Sequence, residues 1–240
     1  MNQYAFMVTS AVNTKFGVYS ADQRLEQTLQ TIGSIRQRVP QARIIVVEMG
    51  AIELTASQLE AITSASDHVM SFNTDPAVVE LFNSTDNWDV VKNVTEVMCF
   101  SQALSKLQNH TAELDGIQRI FKISGRYTLN DGFNIERYQD AEVATKIVVG
   151  ASRPSQFPLH LPLVNRQYMS RLWSWPHCYT DQVIQVYNRG LVYMQERLFA
   201  GGYCDIEHML YKFLDNTLVV EFDQVGIQGN LGPNGVAIKD

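Results

Sequence analysis

Along the first half of the chain, two hydrophobic patterns take turns. Short apolar runs, each the length of one buried strand, are separated by longer stretches whose apolar residues recur every three or four positions. Tyr4 to Val12 is the first such run and predicts a strand buried on both faces. Asn13 to Tyr19 reads as a loop around Gly17. Ser20 followed by Gln23 has the form of a capping box, and Leu25, Leu29, Ile32 and Ile35 continue at helical spacing until Pro40 stops the helix. Ala42 to Val47 predicts a second buried strand. Thr55 with Gln58 repeats the capping box, with Leu54 and Leu59 placed as a hydrophobic staple. Val69 to Phe72 is a third short strand. Val90, Val94, Val97, Ser101 and Leu104 mark a long helix, and Arg119 to Tyr127 a fourth strand.

The second half is less regular. Ile147 to Val149 and Leu172 to Trp175 predict short strands, and the proline-bearing stretch from Ser152 to Asn165 a loop. Asp181 to Phe199 predicts a helix that Gly201-Gly202 ends, Ile206 to Leu214 another helix, and Leu218 to Phe222 a last strand. Strand and helix in strict alternation imply an α/β fold: a mainly parallel, doubly wound central sheet flanked by helices. No proline- or serine-rich linker divides the chain. The expectation is one domain over residues 1–240, with a nucleotide-binding half (1–127) and an acceptor-side half (128–240).

Composition narrows the function classes. The chain has 240 residues, 45% hydrophobic and 18% charged, which is globular rather than disordered composition. A net charge of −6 weighs against nucleic acid as the main partner. The three cysteines, Cys99, Cys178 and Cys204, are widely spaced and fit neither a disulfide framework nor a zinc knuckle. With no basic leader and no long apolar run, the expectation is a cytoplasmic protein without a membrane span. The dinucleotide fingerprint, the phosphate loop and the nucleophile elbow are all absent, which disfavours common dehydrogenases, phosphate-loop nucleotidases and α/β-hydrolases. Gly226, Gly229, Gly232 and Gly235 recur every three residues, but no helix follows them, so they read as turns.

Candidate chemistry gathers at Arg119 to Tyr127. On a strand, Lys122, Ser124 and Arg126 share a face, with Phe121 and Ile123 on the other. Two cations on an inner strand require an answering charge. Either they seat a phosphate or diphosphate at the strand's carboxyl end, or they form internal salt bridges, for example Lys122 with Glu96. Gly125 permits close backbone approach. Glu48 ends the second strand, where a carboxylate could bond a ribose or base, or could simply face solvent. Lys92 and Glu96, four apart on a helix, form an ordinary ion pair in the simplest reading. Asp205 is a natural N-cap for the last helix, and Glu207 or His208 could project into a cleft as base or metal ligand. Asp131 could ligate a cation, or merely belong to an Asn-Asp-Gly turn. Trp173, Trp175, Tyr168 and Tyr179 fit either a sugar-stacking wall or the core.

Taken in order, these pieces resemble nucleotide-sugar glycosyltransferases of the GT-A fold, in particular small members that accompany polysaccharide or lipopolysaccharide genes in bacteria and phages. The resemblance runs through Arg24 and Gln27-Thr28-Leu29, Ile44 to Glu48, Lys92 with Glu96, Lys122 to Tyr127, Asp205 to His208, and Val225 to Gly229. It implies transfer of a hexose from a nucleoside-diphosphate sugar, UDP-sugars being favoured, to a saccharide or other hydroxyl. It implies that Thr9, Ser10, Arg24, Glu48, Lys92, Lys122, Ser124 and Arg126 bind the donor, and that Glu207 or Asp205 supplies the base. The family's Asp-x-Asp metal pair is missing, and Ser124-Gly125-Arg126 stands in its place. A divalent cation, Mn²⁺ or Mg²⁺, would then need Asp131 and His208; otherwise Arg126 and Lys122 neutralise the diphosphate without one. Two other readings stay open: a non-catalytic nucleotide-sugar or glycan binding module, and a sugar-phosphate nucleotidyltransferase, whose glycine-rich basic loop is absent.

Overall fold

The structure, a computed structural model, describes residues 3–109, 111–231 and 234–240. In chain order its elements are β1 (Tyr4–Ser10), α1 (Ala21–Arg38), β2 (Arg43–Glu48), α2 (Ala56–Ala65), β3 (His68–Ser71), α3 (Pro76–Ser84) and α4 (Trp88–Asn109). Then follow β4 (Arg119–Ser124), β5 (Tyr127–Leu129), α5 (Ala141–Ala144), β6 (Ile147–Gly150), β7 (Arg153–Pro154), β8 (Arg166–Gln167) and β9 (Leu172–Pro176). The chain ends with α6 (Thr180–Phe199), α7 (Ile206–Phe213), β10 (Val219–Phe222), β11 (Ile227–Asn230) and β12 (Ala237–Lys239).

Seven strands form the main sheet in the order β10-β6-β9-β4-β1-β2-β3, so both halves of the chain contribute to it. Only β9 runs against its neighbours; β1, β2, β3 and β4 are mutually parallel, and β6 is parallel to β10. The expected mixed, mainly parallel α/β sheet is therefore observed. Both capping boxes form as expected: Ser20 accepts from the Gln23 N–H and Gln23 returns the bond, and Thr55 does the same with Gln58. The staple does not close, because Leu59 stays exposed while Leu54 packs inward.

Layers cover both faces. Val97, Phe100 and Leu104 of α4 meet Val183 and Tyr187 of α6 and Met209 and Leu210 of α7 over one face. Ile32 and Ile35 of α1 and Ile62 of α2 cover the other, together with the small sheet β12-β11-β5. Trp173 and Trp175 lie in the first of these cores, ring centroids 4.7 Å apart, so they are packing residues rather than a sugar wall. Alternation along β4 holds: Phe121 and Ile123 enter the second core, while Lys122 faces the other way.

The predicted fourth strand is interrupted. It leaves the main sheet after Ser124 and resumes at Tyr127 in the small sheet, so Arg126 no longer alternates in step with Lys122. The break falls at Gly125, where the backbone is closely packed. The Gly125 N–H bonds the Thr9 carbonyl at 2.8 Å, and a Cβ at Gly125 would sit 3.0 Å from Thr28 Oγ1 and 3.1 Å from Thr9 O. Gly226 needs its freedom more plainly: φ is +81°, and a Cβ would lie 2.1 Å from the Phe133 nitrogen. Of the glycine array, Gly232 lies outside the described residues. No described helix is long and apolar enough to cross a membrane.

Candidate active site

In the strand order, β1 lies between β2, which follows it, and β4, which belongs to the other branch of the winding. Ligands of open α/β sheets bind outside the carboxyl ends of strands at such a switch point. A cleft of about 240 Å³ opens there. It is lined by Thr9 and Ser10 from β1, Ser124 from the end of β4, Arg126 from the break before β5, and Met49-Gly50 after β2. Arg24 enters from the first turns of α1. Trp88, Val91, Lys92, Thr95 and Glu96 line it from α4, and Val78 and Phe82 from α3.

Of the residues expected to bind a donor, six line this cleft together: Thr9, Ser10, Arg24, Lys92, Ser124 and Arg126. Arg24 is held by the carbonyls of Phe16 (2.7 Å) and Tyr19 (3.3 Å). Burial pulls its pKa down first, and the positive charge of Arg126 pulls it further; Glu48 opposes them. The two guanidinium groups thus repel one another across the cleft. Among the described residues, no carboxylate lies within ion-pair distance of Arg24, Arg126 or Lys92. The buried Arg126 Nε has no partner among the described residues.

Glu48 and Lys122 do not join the lining. Glu48 is fully buried, and its Oε1 accepts the N–H groups of Val12 (3.0 Å) and Gly50 (3.2 Å). It fastens two loops at the cleft rather than reaching a ribose or base, and burial raises its pKa against the bonds that lower it. Lys122 is fully buried too. Its Nζ lies 2.6 Å from Glu96 Oε1 and donates to Ser124 Oγ and the Ser170 carbonyl, both at 2.9 Å. The internal salt bridge therefore accounts for Lys122. Burial alone would raise the Glu96 carboxyl, but the charge and hydrogen bond of Lys122 outweigh it and leave the group below its usual value. Lys92 is not paired with Glu96; its ammonium stands 6.0 Å from the centre of the Trp88 ring.

Asp205 caps α7: one carboxylate oxygen accepts the His208 N–H at 2.9 Å and faces His208 Nδ1 at 2.6 Å. His208 Nε2 meets Ser155 Oγ at 2.8 Å. Both ring nitrogens are engaged and the ring is fully buried, so His208 offers no free lone pair to a metal. Asp131 pairs with Arg38 at the far end of α1, about 21 Å along the helix from Arg24 at 1.5 Å per residue. Asp131 and His208 are thus engaged with different partners, and no described group of three His, Cys, Asp or Glu side chains could hold an ion. The expected Asp131–His208 metal site is therefore not formed.

Glu207 is not among the lining residues, but it joins the bond network behind them. It accepts from Ser170 Oγ at 2.6 Å, so it shares Ser170 with Lys122. Its carboxyl is pushed up by burial first and then by Asp205, against the pull of Lys92, with Glu96 adding to the rise. Two of those charges, Lys92 and Glu96, stand on the cleft wall. Asp89, one turn before Asn93 on α4, is raised mainly by burial and also feels Lys92 and Asp205. Of the charged groups, Arg24, Lys92, Glu96 and Arg126 line the cleft, whereas Asp89 and Glu207 feel Lys92 without being part of the lining.

Sequence reasoning missed the apolar wall of Phe16, Val78, Phe82 and Trp88. A signal existed: Asp75-Pro76 is an N-cap followed by a first-turn proline, which opens α3. Lys15 ties the loop before α1 to the end of α3. It donates to the Phe82 carbonyl and pairs with Asp86, both at 2.8 Å, while Phe16 meets Phe82 edge to face.

No protein-family model matches the sequence, and no curated protein matches it. Solved structures do share the fold. The chain is similar to core-mannan synthase A of Aspergillus fumigatus, in its Mn/GDP form, with a TM-score of 0.50 and 8% identity over 96% of this chain and 75% of that one. It is also similar to the mannosyltransferase Ktr4p of S. cerevisiae, with a TM-score of 0.51 and 11% identity over 97% and 73%. The mainly parallel sheet and its flanking helices are thus the fold that this chain shares with these glycosyltransferases.

Proposed function

We propose that the protein is a glycosyltransferase that moves a sugar from a nucleoside-diphosphate donor to the hydroxyl of a saccharide or similar acceptor. The observation that carries this reading is that Arg24 and Arg126 both line the switch-point cleft, with no carboxylate of the described residues within ion-pair distance of either. Anionic ligands are the natural occupants of such a place, and guanidinium groups fit phosphate oxygens in a fork. The likeness in fold to two mannosyltransferases agrees with it.

In this reading the diphosphate lies at the Arg24–Arg126 end, against Thr9, Ser10 and Ser124, and the nucleoside extends along Phe16, Phe82 and Trp88. The sugar points toward Lys92 and Glu207. The acceptor oxygen bonds to the anomeric carbon as the bond from that carbon to the phosphate oxygen breaks, its electron pair going to the diphosphate. The two arginines stabilise the charge that develops there. The acceptor proton passes to Glu207, whose raised pKa makes it a stronger proton acceptor than an ordinary carboxylate. Asp205 is occupied as N-cap and as the partner of His208, which leaves Glu207 the better base.

The test is release of nucleoside diphosphate from UDP- and GDP-sugars in the presence of mono- and oligosaccharides, followed by mass spectrometry of the product. Turnover with at least one donor is expected. Failure of every nucleotide sugar to bind or react would overturn the reading.

A further inference from the structure

We infer that the Arg24–Arg126 pair itself supplies the countercharge for a pyrophosphate group, so that this chain binds a nucleoside diphosphate without a divalent cation. The inference rests on the donor reading above and deepens it. One structural neighbour has a form holding Mn and GDP, which makes the fit of such an ion to these residues worth testing atom by atom.

The residues do not fit it. A hard divalent cation that bridges phosphates is held by carboxylate oxygens. At the end of β4, where such oxygens would have to stand, the chain carries Ser124, Gly125 and Arg126. A metal there would sit beside a guanidinium. The one carboxylate on the adjoining wall, Glu96, is already 2.6 Å from Lys122 Nζ. That ammonium also binds Ser124 Oγ and the Ser170 carbonyl. Three oxygens therefore surround a cation that the chain provides itself, and an added ion would have to displace a fully buried lysine. His208 and Asp131 do not compensate, because each is engaged with other partners.

What the cleft offers instead is two guanidinium groups that, among the described residues, form no ion pair. Arg24 is pre-oriented by two backbone carbonyls, which occupy Nε and one Nη and leave the other Nη free of protein partners among the described residues. Arg126 stands in the break between β4 and β5, and its buried Nε bonds none of the described residues. The electrostatic repulsion between them favours an anion that touches both. A pyrophosphate group has several oxygens and at least two negative charges, which matches two guanidinium forks better than a single carboxylate would.

Isothermal titration of the intact chain with UDP, GDP and inorganic pyrophosphate, each in excess EDTA and in excess Mn²⁺, tests this without any variant. At least one of the nucleoside diphosphates is expected to bind with a Kd that agrees within about twofold between the two conditions, and pyrophosphate to compete with it. Arg126→Gln and Arg24→Gln are each expected to weaken that binding by roughly 10- to 100-fold, with melting curves confirming that the variants fold. Binding that is at least about tenfold weaker in EDTA would overturn the metal-free inference and leave the donor reading standing. Unchanged affinity in a folded Arg126→Gln variant would overturn it too. Absence of binding by every nucleoside diphosphate and nucleotide sugar, with and without metal, would remove the donor reading and this inference together.

Discussion

Glu96→Gln is the substitution that most sharply separates the structural cation from the ligand-facing ones. It keeps the shape of the side chain and one oxygen but removes the charge that answers Lys122. That ammonium is fully buried and Glu96 is 11% exposed, so water cannot replace the lost partner. Removing one member of a buried ion pair costs about 3–5 kcal/mol. Ser124 Oγ and the Ser170 carbonyl remain bonded to Lys122, so the lower end, about 3 kcal/mol, is expected. For a chain of this size that corresponds to a fall in Tm of roughly 6–12 °C. Urea unfolding followed by tryptophan fluorescence suits the case, because Trp173 and Trp175 are buried in the same core.

The double variant Lys122→Met with Glu96→Leu removes both charges and should regain most of the loss. The pH dependence has a definite sign. The Glu96 carboxyl is held below its usual value, so its stabilisation is present above the unfolded pKa of about 4.3 and is lost as pH falls through the folded value. The gap between wild type and Glu96→Gln should therefore close on acidification. A cost under about 1 kcal/mol, outside the range for breaking a buried pair, would refute this picture of Lys122. So would a double variant no more stable than the single one.

Glu207→Gln should lower kcat by roughly 10²–10⁴-fold while donor affinity, measured by titration, stays within about twofold; a proportionate loss of affinity would make Glu207 a binding residue instead. Gly125→Ala places a Cβ 3.0 Å from Thr28 Oγ1, and urea unfolding should show a loss of about 1–3 kcal/mol. Glu48→Gln removes a carboxyl whose pKa is raised by burial. Wild type loses stability as pH rises from about 4.3 toward the folded value, so the Tm advantage of the variant should grow across that window, and a flat difference would contradict it.

Much of the fold is written in local patterns. The two capping boxes, the apolar runs of β1 and β2 and the glycine break before α7 act through neighbours in sequence, and each appears where the pattern places it. The split between β4 and β5 was hidden because it falls where Gly125 packs on Thr9 and Thr28, far away in the chain. The small sheet β12-β11-β5 was hidden for the same reason: Tyr127 to Leu129 continue an apolar run, and only their partner at Ile227 to Gly229 tells them apart from the main sheet. Among the candidate residues, periodicity placed Lys122 and Arg126 on one strand face but could not tell which of them faced an acid. Tertiary packing decides that. It brings Glu96 of α4 against Lys122 and leaves Arg126 opposite Arg24. His208 and Asp131 look alike as potential ligands in a sequence, and differ only because the fold surrounds one with Asp205 and Ser155 and sends the other to Arg38.

A crystal structure of the chain soaked with a nucleoside diphosphate addresses the arginine cleft most directly. Phosphate oxygens should lie at hydrogen-bond distance, about 2.7–3.2 Å, from the guanidinium groups of both Arg24 and Arg126, with Lys122 still bound to Glu96. A nucleotide seated away from these two side chains, or a cleft left empty at saturating ligand, would contradict that placement.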